Sequence, residues 1–371
     1  MNDRISNFPD EILGHIISFL PTEDAFYTHL LSTRWYPVWF LYPSPNLDYD
    51  YRRFIKNGKS FSDFIIMVDV TVNARSAHQR PIKSFRLRCD ENVIYQKHAM
   101  TWLTAAAEHG MEYLDIHLCD MNIYNCALSV FSFGNLVVIK LKELRVLVSL
   151  SAVHLPSLRI LHLNNVYFIE PMHLLNVLNG CPILEDLEAK NILMSFSTNV
   201  YDQEFKGLTN LVRADINRLS DFDVPLQAFH NVEFLRLEEI FGISPVFTNL
   251  TELEFVVGVC ITWSFMFQVL KNCPKLQILL LEMPLNPNEY CLMWFPDRLP
   301  ESLLFKSCTV TNYGGLKSEL QFLQCILRIT SSLESVRIKS SPSLESMEKL
   351  EMLKELIALP RNSSTCKVYF D

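Results

Sequence analysis

Leu178-Asn179-Gly180-Cys181-Pro182-Ile183-Leu184 and Leu270-Lys271-Asn272-Cys273-Pro274-Lys275-Leu276 share one punctuation. In each, a helix ends, Cys-Pro turns the chain because proline cannot continue a helix, and a strand pattern resumes at the final leucine. That pattern is apolar-x-x-apolar-x-apolar: Leu184, Leu187, Ala189 in the first case and Leu276, Leu279, Leu281 in the second. Outward from these two copies it recurs as Met111, Leu114, Ile116; Leu136, Ile139, Leu141; and Leu158, Leu161, Leu163. It returns again as Leu211, Ala214, Ile216; Val232, Leu235, Leu237; and Leu250, Leu253, Phe255. First positions step by 25, 22, 26, 27, 21, 18 and 26 residues, and a last copy, Leu333, Val336, Ile338, follows after a gap of 57.

Units of this period resemble leucine-rich repeats, each supplying one strand and a return segment. No single unit buries its own apolar ridge, so neighbours cover one another and a parallel sheet grows along one face. The resemblance implies an α/β solenoid with that sheet on its concave face, made irregular by the unequal spacings. Met172 to Leu178 and Phe265 to Leu270 fit helical returns, as does Gln96 to His109, with Trp102 and three consecutive alanines, closed by Gly110. Within each strand the period of two marks the outward positions. Ile160, Phe234, Ile278 and Leu280 are apolar there, among His162, Arg213 and Arg236. An exposed apolar cluster with a polar rim marks a binding surface, so these seven residues are the candidate substrate-binding face.

The N-terminal stretch Phe8-Pro9-Asp10-Glu11-Ile12-Leu13, continued by Ile16-Ile17-Ser18-Phe19-Leu20-Pro21, reads as a short amphipathic helix. Pro9 suits a first helical position, Asp10 and Glu11 complement the dipole in the first turn, and Pro21 is read as its stop. A second helix is expected over Glu23 to Leu30. A third, from near Ser32, carries Trp35 and Trp39 and must be redrawn or bent around Pro37. So many large apolar side chains in about forty residues need the rest of the chain or a partner to cover them. Together with Leu31-Ser32-Thr33-Arg34-Trp35, this stretch resembles an F-box, the three-helix module that docks on the Skp-type adaptor of cullin-based ubiquitin ligases. The resemblance implies an adaptor-binding surface of Phe8, Pro9, Ile12, Ile16, Leu20, Leu31 and Trp35. Phe8 stands where the family usually has leucine.

The C-terminal stretch reads as strand, turn, helix, strand, helix (Ser343 to Leu359) and a short final strand. Leu303-Leu304-Phe305, Tyr313-Gly314-Gly315, Glu319 to Leu323 and the closing Pro360-Arg361-Asn362-Ser363-Ser364, Cys366, Val368, Phe370 are similar to the FBD domain, which in plant proteins commonly follows an F-box and leucine-rich repeats. The expected organisation is therefore an F-box over 1–45, repeats over 46–295 and an FBD segment over 296–371 that caps the solenoid.

Composition bounds the alternatives. The chain has 371 residues, 49% hydrophobic and 20% charged, with formal charge −8, enough for a large core in two or three structural units and no reason to expect nucleic acid as the main partner. Between Tyr51 and Met100 the balance reverses, with ten Lys or Arg against four Asp or Glu. The N-terminus lacks the apolar run of a secretory signal. The uncharged stretch Phe255 to Leu270 is shorter than the roughly 20 apolar residues of a membrane span. An intracellular protein, nuclear or cytoplasmic, with no membrane partner is the expectation. The ten cysteines show no C-x-x-C pair and no zinc spacing. Phosphate-loop, dinucleotide, G-x-S-x-G and H-E-x-x-H motifs are missing, so neither catalysis nor a cofactor or metal is expected. The implied role is that of a substrate-recognition subunit, partnered by a Skp-type adaptor, through it a cullin, and a protein substrate. The alternative is a non-degradative binding scaffold that has lost adaptor binding.

Overall fold

The computed structural model describes residues 4–41, 44–56, 58–89, 94–118, 127–146, 153–169, 171–194, 205, 207–217, 226–238, 244–257, 263–284 and 303–371. They divide into two compact units, Met1–Leu184 with Ile192–Asp202, and Glu185–Asn191 with Gln203–Asp371.

The first unit opens with α1 (Asp10–Ser18), α2 (Thr22–Tyr27) continued by a 3-10 turn (Thr28–Leu30), and α3 (Trp35–Leu41). Then follow β1 (Asn46–Asp50), α4 (Tyr51–Ile55), α5 (Phe61–Ala77), β2 (Ser84–Cys89), α6 (Gln96–Glu108), β3 (Tyr113–Leu118), the two-residue β4 (Ala127–Leu128), β5 (Val138–Val146), β6 (Ile160–Phe168) and α7 (Pro171–Asn179). After α7 the chain forms β7 (Asp186–Lys190), which counts with the second unit, and β8 (Leu193–Met194), which pairs with β6. Strands β1, β2, β3, β5 and β6 pair in that order, all parallel. Each alternates buried and half-buried residues, as a strand with one covered face must. In β5 and β6 the alternation is reset at Glu143 (φ 56°) and Asn165 (φ 52°). These stand in the left-handed region and turn Leu144 and Val166 back to the core.

In the second unit β7, β9 (Arg213–Asn217), β10 (Phe234–Glu238), β11 (Glu252–Val256), β12 (Ile278–Glu282), β13 (Ser307–Tyr313), β14 (Ser335–Ser340) and β15 (Lys367–Phe370) form one parallel ladder. Its helical returns are α8 (Trp263–Lys271), α9 (Lys317–Ile329) and α10 (Ser346–Ile357). Trp263 of α8 stacks on Phe322 of α9 with ring centroids 4.7 Å apart. The C-terminal stretch, read as a cap, has the expected strand-helix-strand-helix-strand order and extends the same ladder. The expected boundary between residues 295 and 296 lies outside the described residues, as do Cys119, Cys126, Cys260 and Cys291.

The repeat is longer than the leucine pattern shows. Ile82 with Phe85 and Leu87 of β2, and Phe305 with Cys308 and Val310 of β13, fill the same three core positions, partly with aromatic and sulfur side chains. The second triplet divides the gap of 57 residues into two ordinary repeats. Both Cys-Pro turns obey one design. Cys181 and Cys273 are buried, and each S–H donates to the carbonyl four residues back, Val177 at 3.0 Å and Val269 at 3.1 Å. Burial pushes both thiols up to about 12. Thiolate is the reactive form, so neither is a nucleophile. Iodoacetamide at pH 8 should leave both unmodified by mass spectrometry in the native protein and label them after denaturation.

The FBD-like residues close turns. Gly315 adopts φ +76°, and a Cβ there would collide with Met352 Cε of α10, so glycine lets that helix approach. Glu319, almost fully buried in α9, accepts from the N–H groups of Gly314 (3.1 Å) and Leu316 (3.0 Å). Ser363 Oγ donates to Leu333 O at 2.7 Å and ties the final turn to the start of β14. Burial raises the Glu319 carboxyl above its ordinary value despite those donors. Between the ordinary and the raised pKa the folded chain therefore holds more protons than the unfolded one. This group's contribution to stability is full below the ordinary value and declines as pH rises through that window. Glu319→Ala should cost about 1–3 kcal/mol in urea unfolding, because two N–H groups lose their acceptor. Glu319→Gln keeps an acceptor, and should cost less and flatten the pH dependence.

Candidate functional site

The N-terminal helices divide their apolar residues between two faces. On α1, Leu13 and Ile17 turn inward and join Trp35, Val38 and Trp39 of α3 in a buried cluster. Ala25 and Phe26 of α2, Phe40 of α3 and Ala74 of α5 pack against it. Pro9 is the N-cap of α1, one residue earlier than expected, and its carbonyl accepts from Ile12 and Leu13. The helix ends at Ser18, and Pro21 instead caps the start of α2. The segment before α1 is held against the start of α3. Trp35 Nε1–H donates to Ser6 Oγ at 2.9 Å, Arg34 donates to Phe8 O at 3.3 Å, and Arg34 pairs with Asp10. The third helix begins at Trp35 rather than Ser32. Pro37 thus falls in its first turn, where a missing N–H leaves no intrahelical bond unmade, and no bend is needed.

On the opposite face Phe8 is 47% exposed, Ile12 46%, Ile16 39% and Leu31 67%. Pro9 is also exposed and Leu20 half-buried. Trp35 departs from the expected set. At 6% exposure its ring belongs to the module's own core and shapes the surface from beneath. Phe19, 75% exposed, shares the outer face of α1 with Ile12 and Ile16 and was missing from that set. Ile5, Leu30 and Tyr36 are exposed as well. Full burial of a large apolar side chain contributes roughly 1.5–3 kcal/mol, and each of these forgoes part of it. An exposed apolar face of this kind is a candidate docking surface.

Within the first unit the same helices are tied to the sheet. The Asp48 N–H of β1 donates to Thr22 Oγ1 at 2.9 Å and the Asp50 N–H to Glu23 Oε1 at 3.1 Å. Two backbone donors of β1 are thereby satisfied by the first turn of α2, which fixes the helices against the repeats. Burial raises the Glu23 carboxyl, against the Asp50 N–H and the nearby Arg53.

The candidate substrate residues fall in both units. Ile160 and His162 stand half-exposed on β6 in the first. In the second, the Arg213 guanidinium lies 3.7 Å from the centre of the Phe234 ring, Ile278 is exposed and Leu280 half-buried. Arg236 is a hub. Its Nε is 3.0 Å from Glu254, its Nη1 3.4 Å from Asp215 and its Nη2 3.6 Å from Glu282. Lys190 adds contacts to Asp215 at 2.7 Å and Glu188 at 3.4 Å. Partial burial works to lower the Arg236 pKa, and the Glu254 hydrogen bond with the Asp215 charge outweighs it, so the net shift is upward. The outward position of Arg236 is legible in the strand pattern. Its pairing with carboxylates is not, because they reach it from three other strands.

Among the described residues there is no group of three or more His, Cys, Asp or Glu able to hold a metal, and no helix is long and apolar enough to cross a membrane. Residues 5–40 match the model of the F-box domain. Along the rest of the chain the similarity is to plant proteins. An F-box/FBD/LRR-repeat protein of Arabidopsis thaliana is 25% identical, over 100% of this chain and 99% of its own length. An FBD-associated F-box protein of the same plant is 28% identical, over 99% of this chain and 100% of its own. A further F-box/FBD/LRR-repeat protein is 26% identical with both chains fully covered. F-box domains bind Skp-type adaptors, and proteins of this architecture serve in protein interaction. The chain carries an N-terminal F-box on an α/β parallel-strand repeat fold, and its homologues are the plant F-box/FBD/LRR-repeat proteins.

Proposed function

We propose that this chain is the substrate-recognition subunit of an SCF-type ubiquitin ligase. The outer face of α1, with Phe8, Pro9, Ile12, Ile16, Leu20 and Leu31, docks on a Skp-type adaptor and through it a cullin; Trp35 holds that face in shape. The outward strand positions Ile160, His162, Arg213, Phe234, Arg236, Ile278 and Leu280 contact a protein substrate. Work is divided between residues 1–45, 46–295 and 296–371 for docking, substrate holding and closing the ladder. The chain performs no chemistry in this scheme. It raises the effective concentration of substrate lysines near a recruited conjugating enzyme.

The observation that carries the reading is the split of α1. Leu13 and Ile17 turn into the buried cluster, while Ile12 and Ile16 of the same helix and Phe19 at its C-cap stay exposed inside the segment that matches the F-box. A non-degradative scaffold would need the module to have lost docking. Pro37 could have spoiled the third helix, but it stands in the first turn of α3, where proline is tolerated, and this supports the docking reading. Co-expression of the full chain with a Skp-type adaptor tests the reading. A single complex on size-exclusion chromatography is expected, and separate elution at micromolar concentration would overturn it.

A further inference from the structure

The strand registers align the outward residues of the second unit in rows across the sheet. One row runs Asp186, Arg213, Phe234, Glu252, Ile278; the next Glu188, Asp215, Arg236, Glu254, Leu280; a third Asn217, Glu238, Val256, Glu282. With Lys190, the outward positions of these five strands carry seven carboxylates against three cations, a surplus of four negative charges. Strands lie about 4.8 Å apart, so this charge is concentrated on one face. Two of the cations are already shared. Lys190 serves Glu188 and Asp215, and Arg236 serves Asp215, Glu254 and Glu282. Glu252 makes no ion pair with any described residue.

A second observation points the same way. Asn217, in the row beside Glu238, is 8% exposed, and its Oδ1 accepts no hydrogen bond among the described residues. A buried acceptor without a donor is costly, and beside carboxylates it favours a ligand rich in N–H donors. The Phe234 ring supplies a third element. It already holds one guanidinium, that of Arg213, at cation–π distance. Arg213 itself opposes a cationic ligand, but the acids outnumber it. In the first unit the outward positions of β2, β3, β5 and β6 have the opposite bias, with Arg86, Arg88, Lys140, Lys142 and Arg145 against Asp115 and Glu143.

We propose that the sheet face built by β7 and β9 to β12 receives a Lys- or Arg-bearing segment of a partner protein, with Glu252, Glu254 and Glu282 as the pairing carboxylates and the Phe234 ring beside them. The inference rests on the reading of the strand faces as the substrate platform and names the chemistry of what one of them holds. Charge complementarity chooses partners by excluding acidic ones and by speeding encounter.

The test uses the full chain and a fluorescein-labelled dodecapeptide of alternating Arg, Lys and Ser, compared by anisotropy with a counterpart carrying Glu at the basic positions. The basic peptide should bind at low salt and weaken as ionic strength rises, and the acidic one should not bind. Glu252→Gln combined with Glu282→Gln should weaken the basic peptide about fivefold, as expected for two partly exposed pairs. Glu351→Gln with Glu355→Gln, the same net-charge change placed on α10, should leave binding within about twofold. Arg213→Gln, which removes an opposing charge and frees the Phe234 ring, should tighten it about twofold and guards against a loss caused by misfolding. Equal loss in the α10 control, no response to either face variant, or capture of the acidic peptide would overturn the proposal. Adaptor co-elution is measured on every sample. Peptide binding without adaptor binding sinks only the ligase reading, and the reverse result sinks only this one.

Discussion

Ile12→Asp should abolish capture of a Skp-type adaptor while shifting the unfolding midpoint of the free chain by no more than the roughly ±0.5 kcal/mol of an ordinary surface change. Ile12 is half exposed on the outer face of α1 and contributes nothing to the buried cluster of Leu13, Ile17, Trp35, Val38 and Trp39. An aspartate there faces water in the free protein and stays hydrated. In a docked complex the same carboxylate would lie in an apolar interface. Two losses then add. Burial of the isoleucine, worth roughly 1.5–3 kcal/mol, disappears, and the carboxylate must be stripped of water at a cost of several kcal/mol unless a cation meets it. A loss of about 4 kcal/mol is close to a thousandfold in affinity, enough to empty a pull-down. Titration calorimetry of wild type and variant checks it. Retained capture would place the adaptor elsewhere on the chain. Leu13→Asp, one residue on, puts the charge into the cluster and should unfold the module outright, so the pair separates contact from stability.

How much of this was legible in the sequence depends on whether the signal is local. Strand alternation is local, and the triplets at Leu158, Leu184 and Leu276 announce their strands. The same geometry at Phe305, Cys308, Val310 passes unseen when leucine is the cue, although a phenylalanine and a cysteine fill those core positions equally well. Ile82, Phe85 and Leu87 obey the same apolar spacing, but they stand apart from the run of copies that begins at Met111. α3 starts at Trp35 rather than near Ser32, and at that start Arg34 is tied to Asp10 and Trp35 is bonded to Ser6. Such ties join residues more than twenty positions apart and leave no periodic trace. The candidate sites divide likewise. Ile12 and Ile16 could be chosen by matching an F-box, but the spacing that groups Ile12, Ile16 and Phe19 says nothing about which face of α1 the protein covers. Arg236 could be placed on an outward row. Its three carboxylate partners come from strands 18, 21 and 46 residues away in the chain, and only the parallel register brings them together.

Trp35 carries the other large expected effect, and its mechanism is opposite to that of Ile12. Trp35→Ala should destabilise the N-terminal module by about 3–5 kcal/mol, the usual cost of deleting a large buried ring. The side chain packs with Leu13, Ile17, Val38 and Trp39, and its indole N–H also pins Ser6, so truncation opens a cavity and releases the segment that carries Phe8. Trp35→Phe refills much of that volume and forfeits chiefly the hydrogen bond to Ser6, for about 1 kcal/mol. A ring that supports the surface from below predicts that adaptor affinity follows the folded fraction. Trp35→Phe should bind nearly as wild type, and Trp35→Ala should recover capture on cooling from 37 °C to about 10 °C, where more of the module is folded. A ring that touches the adaptor predicts instead that Trp35→Phe loses affinity at nearly unchanged stability. Mass action gives a further readout. A ligand that binds only the folded module stabilises it by RT ln(1 + [L]/Kd), so saturating adaptor should raise the melting temperature of Trp35→Ala and leave that of Ile12→Asp where it was. The first variant is unfolded but still able to bind; the second is folded and unable to.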